Sequence, residues 1–328
     1  MKTRQLGSTG LALTEIGLGC APIAGLYQEC SEETARATLD FAWESGIRYF
    51  DTAPFYGAGL SEERTGRFLR GKPRDDFVFS TKVGRLLRPV PPGSASSHGF
   101  LGAHSQAVEH DYSRDGILRS IEASMQRTGL DRFDILYVHD IGAYSHGEEG
   151  NAVHMKAFLD SGIAAMTELR NTGVIKAWGV GVNEVAICLD ILERAHLDCI
   201  LIAGRYTLLD RRAAERLLPL CGERGTSLVA GGVFNSGILA TGPVAGAHFD
   251  YTEANADIRE RVGKMEALTD QAGIELAAAA MQFPLQSPVI ASVLIGAATP
   301  EIVDRNVASL CHTVDASLYA ACAPFALR

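Results

Sequence analysis

Eight short apolar runs recur along the chain with helix-period segments between them, and this alternation limits the architecture more than any other feature. The runs are TEIGLGC (14–20), IRYFDTA (47–53), FVFSTKV (77–83), FDILYVHD (133–140), IKAWGVGV (175–182), DCILIAG (198–204), TSLVAGG (226–232) and SVLIGA (292–297). Each is nearly continuous in apolar character, the pattern of a strand covered on both faces, as parallel sheets require. The segments between them include SEETARATLDFAWESG, SEERTGRFLRG, SRDGILRSIEASMQRTG, FLDSGIAAMTELRNTG, EVAICLDILERAH, RRAAERLLPLCGERG and RERVGKMEALTDQAG. Ser31 stands where an N-cap would, and Gly46 and Gly129 stand where helices end. Eight such repeats predict an α/β fold, a (β/α)8 barrel, in a single domain over residues 1–328. A doubly wound nucleotide-binding sheet would want G-x-G-x-x-G after its first strand, and GLGCAPIAG does not supply it. Residues 1–13 read as two extended pieces around the turn-prone GSTG, a short hairpin ahead of the barrel.

An apolar content of 47% is ample for the core of a chain of 328 residues. The formal net charge of −9 argues against a general nucleic-acid or membrane-surface binder, either of which would want a basic face. Seven cysteines, an odd count with no C-x-x-C, read as free thiols in a reducing cytosol. MKTRQLGSTG has no apolar stretch of the secretory kind, and no apolar run reaches the roughly 18 residues a membrane span needs. The expectation is a cytoplasmic protein acting on a small molecule.

Three connections are too long for plain barrel turns: residues 84–113, 141–155 and 233–257. All three leave the C-terminal ends of predicted strands, where barrel enzymes keep their chemistry, so they are expected to wall a substrate pocket. His98, His104 and His110 recur every six residues in the first of them. That spacing suits neither one helix face nor a ligand pattern, so no metal site is expected there and a polar lid is.

The chemistry gathers at strand ends. Asp51 ends the second run, Lys82 the third and His139 the fourth, and Tyr56 follows Asp51 by five positions. In a barrel these ends are neighbours on one rim. Taken singly, each residue has an ordinary structural role open to it: a turn-forming Asp, a solvated Lys, a core His, a packed Tyr. Together they predict a phenol made acidic by an ammonium, the ammonium held by a carboxylate, and an imidazole able to bond a substrate oxygen. Such a group moves a proton at an alcohol or carbonyl while a cofactor carries the hydride.

DTAPFYG, STK and VHD, in that order, resemble the Asp, Tyr, Lys, His tetrad of the aldo-keto reductase superfamily. The resemblance extends over essentially the whole chain, through LGSTGLALTEIGLGC, GLSEERTGRFL, GVIKAWGVGVNE and LIGAATPEIVDRN. It implies that Tyr56 is the general acid/base, tuned by Lys82 and Asp51, with His139 orienting the substrate. It also implies a nicotinamide cofactor extended over the C-terminal rim. Asn183 would hold the carboxamide, Gly231 stands where an aromatic or small residue often packs against the nicotinamide ring, and Asn235 and Gly237 would lie in the loop crossing the pyrophosphate. Gly296, Ala297, Arg305 and Asn306 would form the adenosine end. NADPH-dependent members commonly place a Lys where Gly296 stands and an Arg where Ile302 stands; the absence of both cations favours NAD over NADP. Ala203 stands where many members have a Gln that contacts the carboxamide.

Within the superfamily, HDYSRDGILRSIEASMQRTGLDRFDILYVHDIG and LIAGRYTLLD resemble the branch that holds L-fucose dehydrogenase (D-threo-aldose 1-dehydrogenase) and pyridoxal 4-dehydrogenase. That resemblance implies oxidation of a cyclic hemiacetal to a lactone. An aldose is the first expected substrate, with pyridoxal or an NADPH-dependent reduction of aldehydes and ketones as alternatives. Tyr27, Phe55, Arg85, His104, Asp140 and Phe234 are the expected substrate contacts. A nucleotide-holding subunit without turnover would not need Tyr56 beside Lys82.

Overall fold

In the computed structural model, which describes residues 1–328, every one of the eight apolar runs contains a strand. They are Ile16–Gly19, Tyr49–Asp51, Val78–Val83, Ile135–His139, Ala177–Val182, Cys199–Ala203, Ser227–Gly231 and Ile290–Gly296. All run parallel and each pairs with its sequence neighbours; the eighth closes on the first from Val293 opposite Ile16 to Gly296 opposite Gly19. The result is a closed (β/α)8 barrel. Its outer strand faces and the helices enclose one core cluster. A second cluster fills the bore, where Tyr49, Tyr137, Leu201 and Leu294 meet Leu6, Leu11 and Leu13. The last three belong to the N-terminal hairpin, Thr3–Gln5 paired with Ala12–Thr14, which plugs the end opposite the strand C-termini.

Large side chains in the bore demand small neighbours. A Cβ on Gly17 would lie 2.5 Å from the Tyr49 ring, and one on Gly179 would lie 1.6 Å from the Cys199 carbonyl oxygen. The second obstacle is backbone of the paired strand and cannot swing away. Gly179→Ala is therefore expected to destabilise the barrel by more than about 3 kcal/mol, above the usual cost of one extra methyl in a core. Chemical denaturation of the full chain measures it.

Helix boundaries follow local chemistry. Ser31 Oγ accepts the Thr34 N–H at 3.0 Å and starts Glu32–Glu44. Gly129, left-handed at φ 64°, ends Arg114–Thr128. In RRAAERLLPLCGERG only Leu217–Arg224 is helical. Pro219 is tolerated in a helix's first turn but not eight residues after the start, so the helix cannot begin at Arg211.

The three long connections are more ordered than the sequence suggests. Residues 84–113 contain an antiparallel pair, Arg85–Pro89 with Gln106–His110. Residues 141–155 are mostly the helix Ala143–Ala157, continued through Phe158–Gly162 into Ile163–Asn171. Residues 233–257 carry the short helix Ile238–Thr241 and a small hairpin, His248–Phe249 with Thr252–Glu253. All seven cysteines are free. No helix is long and apolar enough to cross a membrane.

Candidate active site

Strands two, three and four are adjacent in the barrel, and their C-terminal ends carry Asp51, Lys82 and His139. Tyr56 comes back over them on a tight turn, Tyr56–Gly59. That turn depends on Gly57, left-handed at φ 62°, where a Cβ would also meet Ala24 Cβ at 2.9 Å. Lys82 Nζ donates to Asp51 Oδ2 at 2.6 Å and to the Thr52 carbonyl at 2.8 Å. Ser80, two residues before Lys82 and therefore on the same face of its strand, donates to Asp51 Oδ1 at 2.6 Å. Lys82 Nζ lies 4.7 Å from the centroid of the Tyr56 ring. The His139 ring meets Tyr56 edge-on at 5.9 Å, and Phe100 stacks on the Tyr56 ring at 6.1 Å.

The charges sort as follows. Burial works against the Lys82 ammonium, but Asp51 and then Tyr56 outweigh it and hold it above its usual range. Burial raises Asp51 while Lys82 and Ser80 pull it down. For Tyr56, burial raises the phenol and Lys82 lowers it, and the net direction is upward. From sequence the ammonium is expected to make the phenol more acidic outright. It does pull that way, but much of its charge is already answered by Asp51, so burial wins in the free protein. His139 is pushed well below its usual value by burial, with Arg85 and Lys82 adding to the effect. It is a neutral imidazole, suited to hydrogen bonding rather than to carrying a charge. Its Nδ1 is buried without a partner, and its Nε2 lies 3.4 Å from Asp140 Oδ2. A phenol backed by an ammonium and flanked by a neutral imidazole can pass a proton to a carbonyl oxygen or take one from an alcohol.

A cavity of about 420 Å³ opens over these residues, walled by Phe55, Phe100 and Tyr144 among others. A second, of about 410 Å³, is lined by Asn235, Gly237, Ile302, Arg305 and Asn306. The two share Asn183, Tyr251 and Gly296, so they form one groove over the rim from the second strand to the eighth. The 233–257 connection lies across it. Asn183 Nδ2 donates to the Tyr251 hydroxyl at 3.0 Å, and Arg205 Nη2 donates to Asp250 Oδ1 at 2.9 Å.

Residues 15–325 match the Aldo/keto reductase family. The chain belongs to that family. It is 46% identical to a pyridoxal 4-dehydrogenase of Microbacterium luteolum over 93% of this chain and 91% of that protein. It is 39% identical to a D-threo-aldose 1-dehydrogenase of a Pseudomonas species, over 95% and 94% respectively. Among solved structures, the holo form of an aldo-keto reductase from Bacillus halodurans superposes with a TM-score of 0.77 at 27% identity, covering 99% of this chain and 96% of that one. This aldo-keto reductase is an NAD(P)-dependent oxidoreductase.

The groove fits a dinucleotide. Asn306 Nδ2 is buried there with no partner in the protein. A Cβ on Gly296 would strike Pro22 Cγ at 2.9 Å, and one on Gly231 would sit 3.3 Å from Leu201 Cδ2. Pro22 and Leu201, which themselves line the groove, crowd the space a side chain would take at these two points. Of the cofactor residues expected from sequence, Asn183, Gly231, Asn235, Gly237, Gly296, Arg305 and Asn306 line the groove. Ala297 is buried in the core and lines neither cavity.

The expected substrate contacts divide. Tyr27, Phe55 and Asp140 line the cavity over Tyr56. Arg85 stands behind it, donating to Asp140 Oδ2 at 2.5 Å and lying 4.2 Å from the Phe55 ring centroid. Phe234 lines the other cavity. His104 lines neither and faces Glu63 Oε2 at 3.1 Å. His98, Phe100, Tyr144, Ser145 and Tyr251 line the Tyr56 cavity although no contact was expected of them from sequence. Their signal was an aromatic, His or Ser residue inside one of the long connections, too common to single out.

Proposed function

We propose that this protein is an NAD-dependent dehydrogenase that oxidises a cyclic hemiacetal to its lactone, with pyridoxal in its hemiacetal form as the preferred substrate. The observation that carries the reading is the cavity over Tyr56. Its walls are aromatic, from Tyr27, Phe55, Phe100 and Tyr144, and away from the Asp51–Lys82 pair its one charged lining group is Asp140, held from behind by Arg85. Flat apolar walls suit a pyridine ring, and Asp140 suits its polar substituents. The 46% identity to a pyridoxal 4-dehydrogenase supports the same choice. An aldose of the L-fucose or D-threo type is the second reading, supported by the 39% identity to a D-threo-aldose 1-dehydrogenase.

Each residue has a part in that reaction. Tyr56, as phenolate, takes the proton of the hemiacetal hydroxyl; the C–H bond breaks and the carbonyl of the lactone forms. Lys82 stabilises the phenolate charge, Asp51 and Ser80 hold Lys82 in place, and His139 bonds the substrate oxygen. A bound oxidised nicotinamide supplies the acceptor for the hydride. Asn183, Gly231 and Gly296 would seat it along the groove.

NAD preference rests on Gly296 and Ile302, which leave Arg305 as the one cation in LIGAATPEIVDRN. Ile302→Arg is expected to raise kcat/KM for NADP by about 10-fold, the worth of one charge-assisted contact to a phosphate, with little change for NAD. Gly296→Lys is the poorer variant because its Cβ meets Pro22. The functional reading is tested by initial rates of oxidation of pyridoxal and L-fucose with NAD and with NADP, and of reduction of simple aldehydes with NADH and with NADPH. Pyridoxal with NAD should give the highest kcat/KM. A clear preference for reducing simple aldehydes with NADPH would overturn the assignment.

A further inference from the structure

We propose that His110, His146 and His154 form a binding site for one borderline divalent transition metal ion, with Zn²⁺ the best match. Each ring offers one nitrogen, and the three nitrogens lie within 4.8 Å of one another. Ring centroids are 4.7 Å apart for His110 and His146, 4.4 Å for His146 and His154, and 5.7 Å for His110 and His154. A tetrahedral Zn²⁺ with Zn–N bonds of about 2.0–2.1 Å sets its ligand nitrogens about 3.3 Å apart. Small rotations of these partly exposed rings close the remaining gap. An all-imidazole donor set selects zinc, nickel or copper over magnesium and calcium.

The backbone explains how the three meet. His110 ends the second strand of the Arg85–His110 hairpin, while His146 and His154 lie in Ala143–Ala157. Eight residues along an unbroken helix rise about 12 Å, too far for two rings to touch. Gly147, left-handed at φ 66°, breaks the helix between them and lets His146 fold back beside His154. Tyr112 fixes the orientation: its hydroxyl donates to the His139 carbonyl at 2.8 Å and lies 2.9 Å from His146 Nε2. A polar partner of this kind is what metal-binding imidazoles ordinarily have behind them.

None of the three lines the cavity over Tyr56. The ion would instead tie the hairpin to the helix after the fourth strand, cross-linking two walls of the substrate pocket. His110 is paired across the hairpin with Arg85, the residue that holds Asp140, so the tie reaches the wall of the pocket without entering the chemistry. The site does not depend on which substrate the enzyme takes.

The test uses full-length, untagged protein stripped with a chelator and titrated with Co²⁺, whose tetrahedral complexes absorb visibly. One Co²⁺ per chain is expected, displaced by Zn²⁺, with Zn²⁺ raising the melting temperature by several degrees. His110→Gln and His154→Gln should each weaken binding by more than about 10-fold, and His196→Gln, in the connection before the sixth strand and 3.8 Å from Asp198 Oδ1, should not. Circular dichroism confirms that each variant is folded. Stoichiometric binding that survives both substitutions, or no uptake and no shift in melting temperature, would overturn the site.

Discussion

Tyr56→Phe is expected to lower kcat for oxidation by about 10²- to 10⁴-fold while nucleotide affinity stays at the wild-type value. The substitution removes one hydroxyl and keeps the ring against Phe100 at 6.1 Å and His139 at 5.9 Å, so the pocket should hold its shape. The loss falls on kcat because the hydroxyl acts only when the proton moves. Single-turnover rates and a fluorescence titration with reduced nucleotide separate the two effects. Turnover that survives would show that the proton leaves by another route, and the role given to Lys82 would fall with it.

Lys82→Met is expected to cost both activity and stability. Asp51 is 2% exposed, and without the ammonium it becomes a buried carboxylate with only Ser80 to bond it. Breaking a buried pair in this way costs about 3–5 kcal/mol. Because the folded ammonium sits above its unfolded value of about 10.4, its contribution is fully present below that pH and fades only as pH rises through the folded value. Denaturation at pH 7 therefore reports the whole effect. Adding Asp51→Asn should recover much of the stability and none of the turnover. The pH profile adds an independent sign. Burial already lifts the phenol, so oxidation should rise with pH, and Lys82→Met should push that rise further to the alkaline side.

The barrel was legible because its strands are buried on both faces, which writes eight apolar runs into the chain. The tetrad was legible because chemistry at a strand end interrupts such a run, as Asp51 does after Phe50 and His139 after Val138. The connections were not. Gly147 and Gly150 give the Ala143–Ala157 segment low helix propensity; tertiary packing overrides it except at Gly147, where the helix breaks. His110 reads alongside His98 and His104 in sequence, yet its partners in space are His146 and His154, a pairing set by two elements whose packing no local pattern encodes. The direction of the Tyr56 pKa was missed for a related reason: charge pairs can be guessed from residue types, but depth of burial cannot.

The most direct test of hemiacetal oxidation at Tyr56 is the identity of the product. Wild-type enzyme given NAD with pyridoxal or L-fucose should release one reduced nicotinamide for each lactone, a product lighter than its substrate by the hydride and the proton. No lactone from either compound, with simple aldehydes consumed in the presence of NADPH, would contradict it.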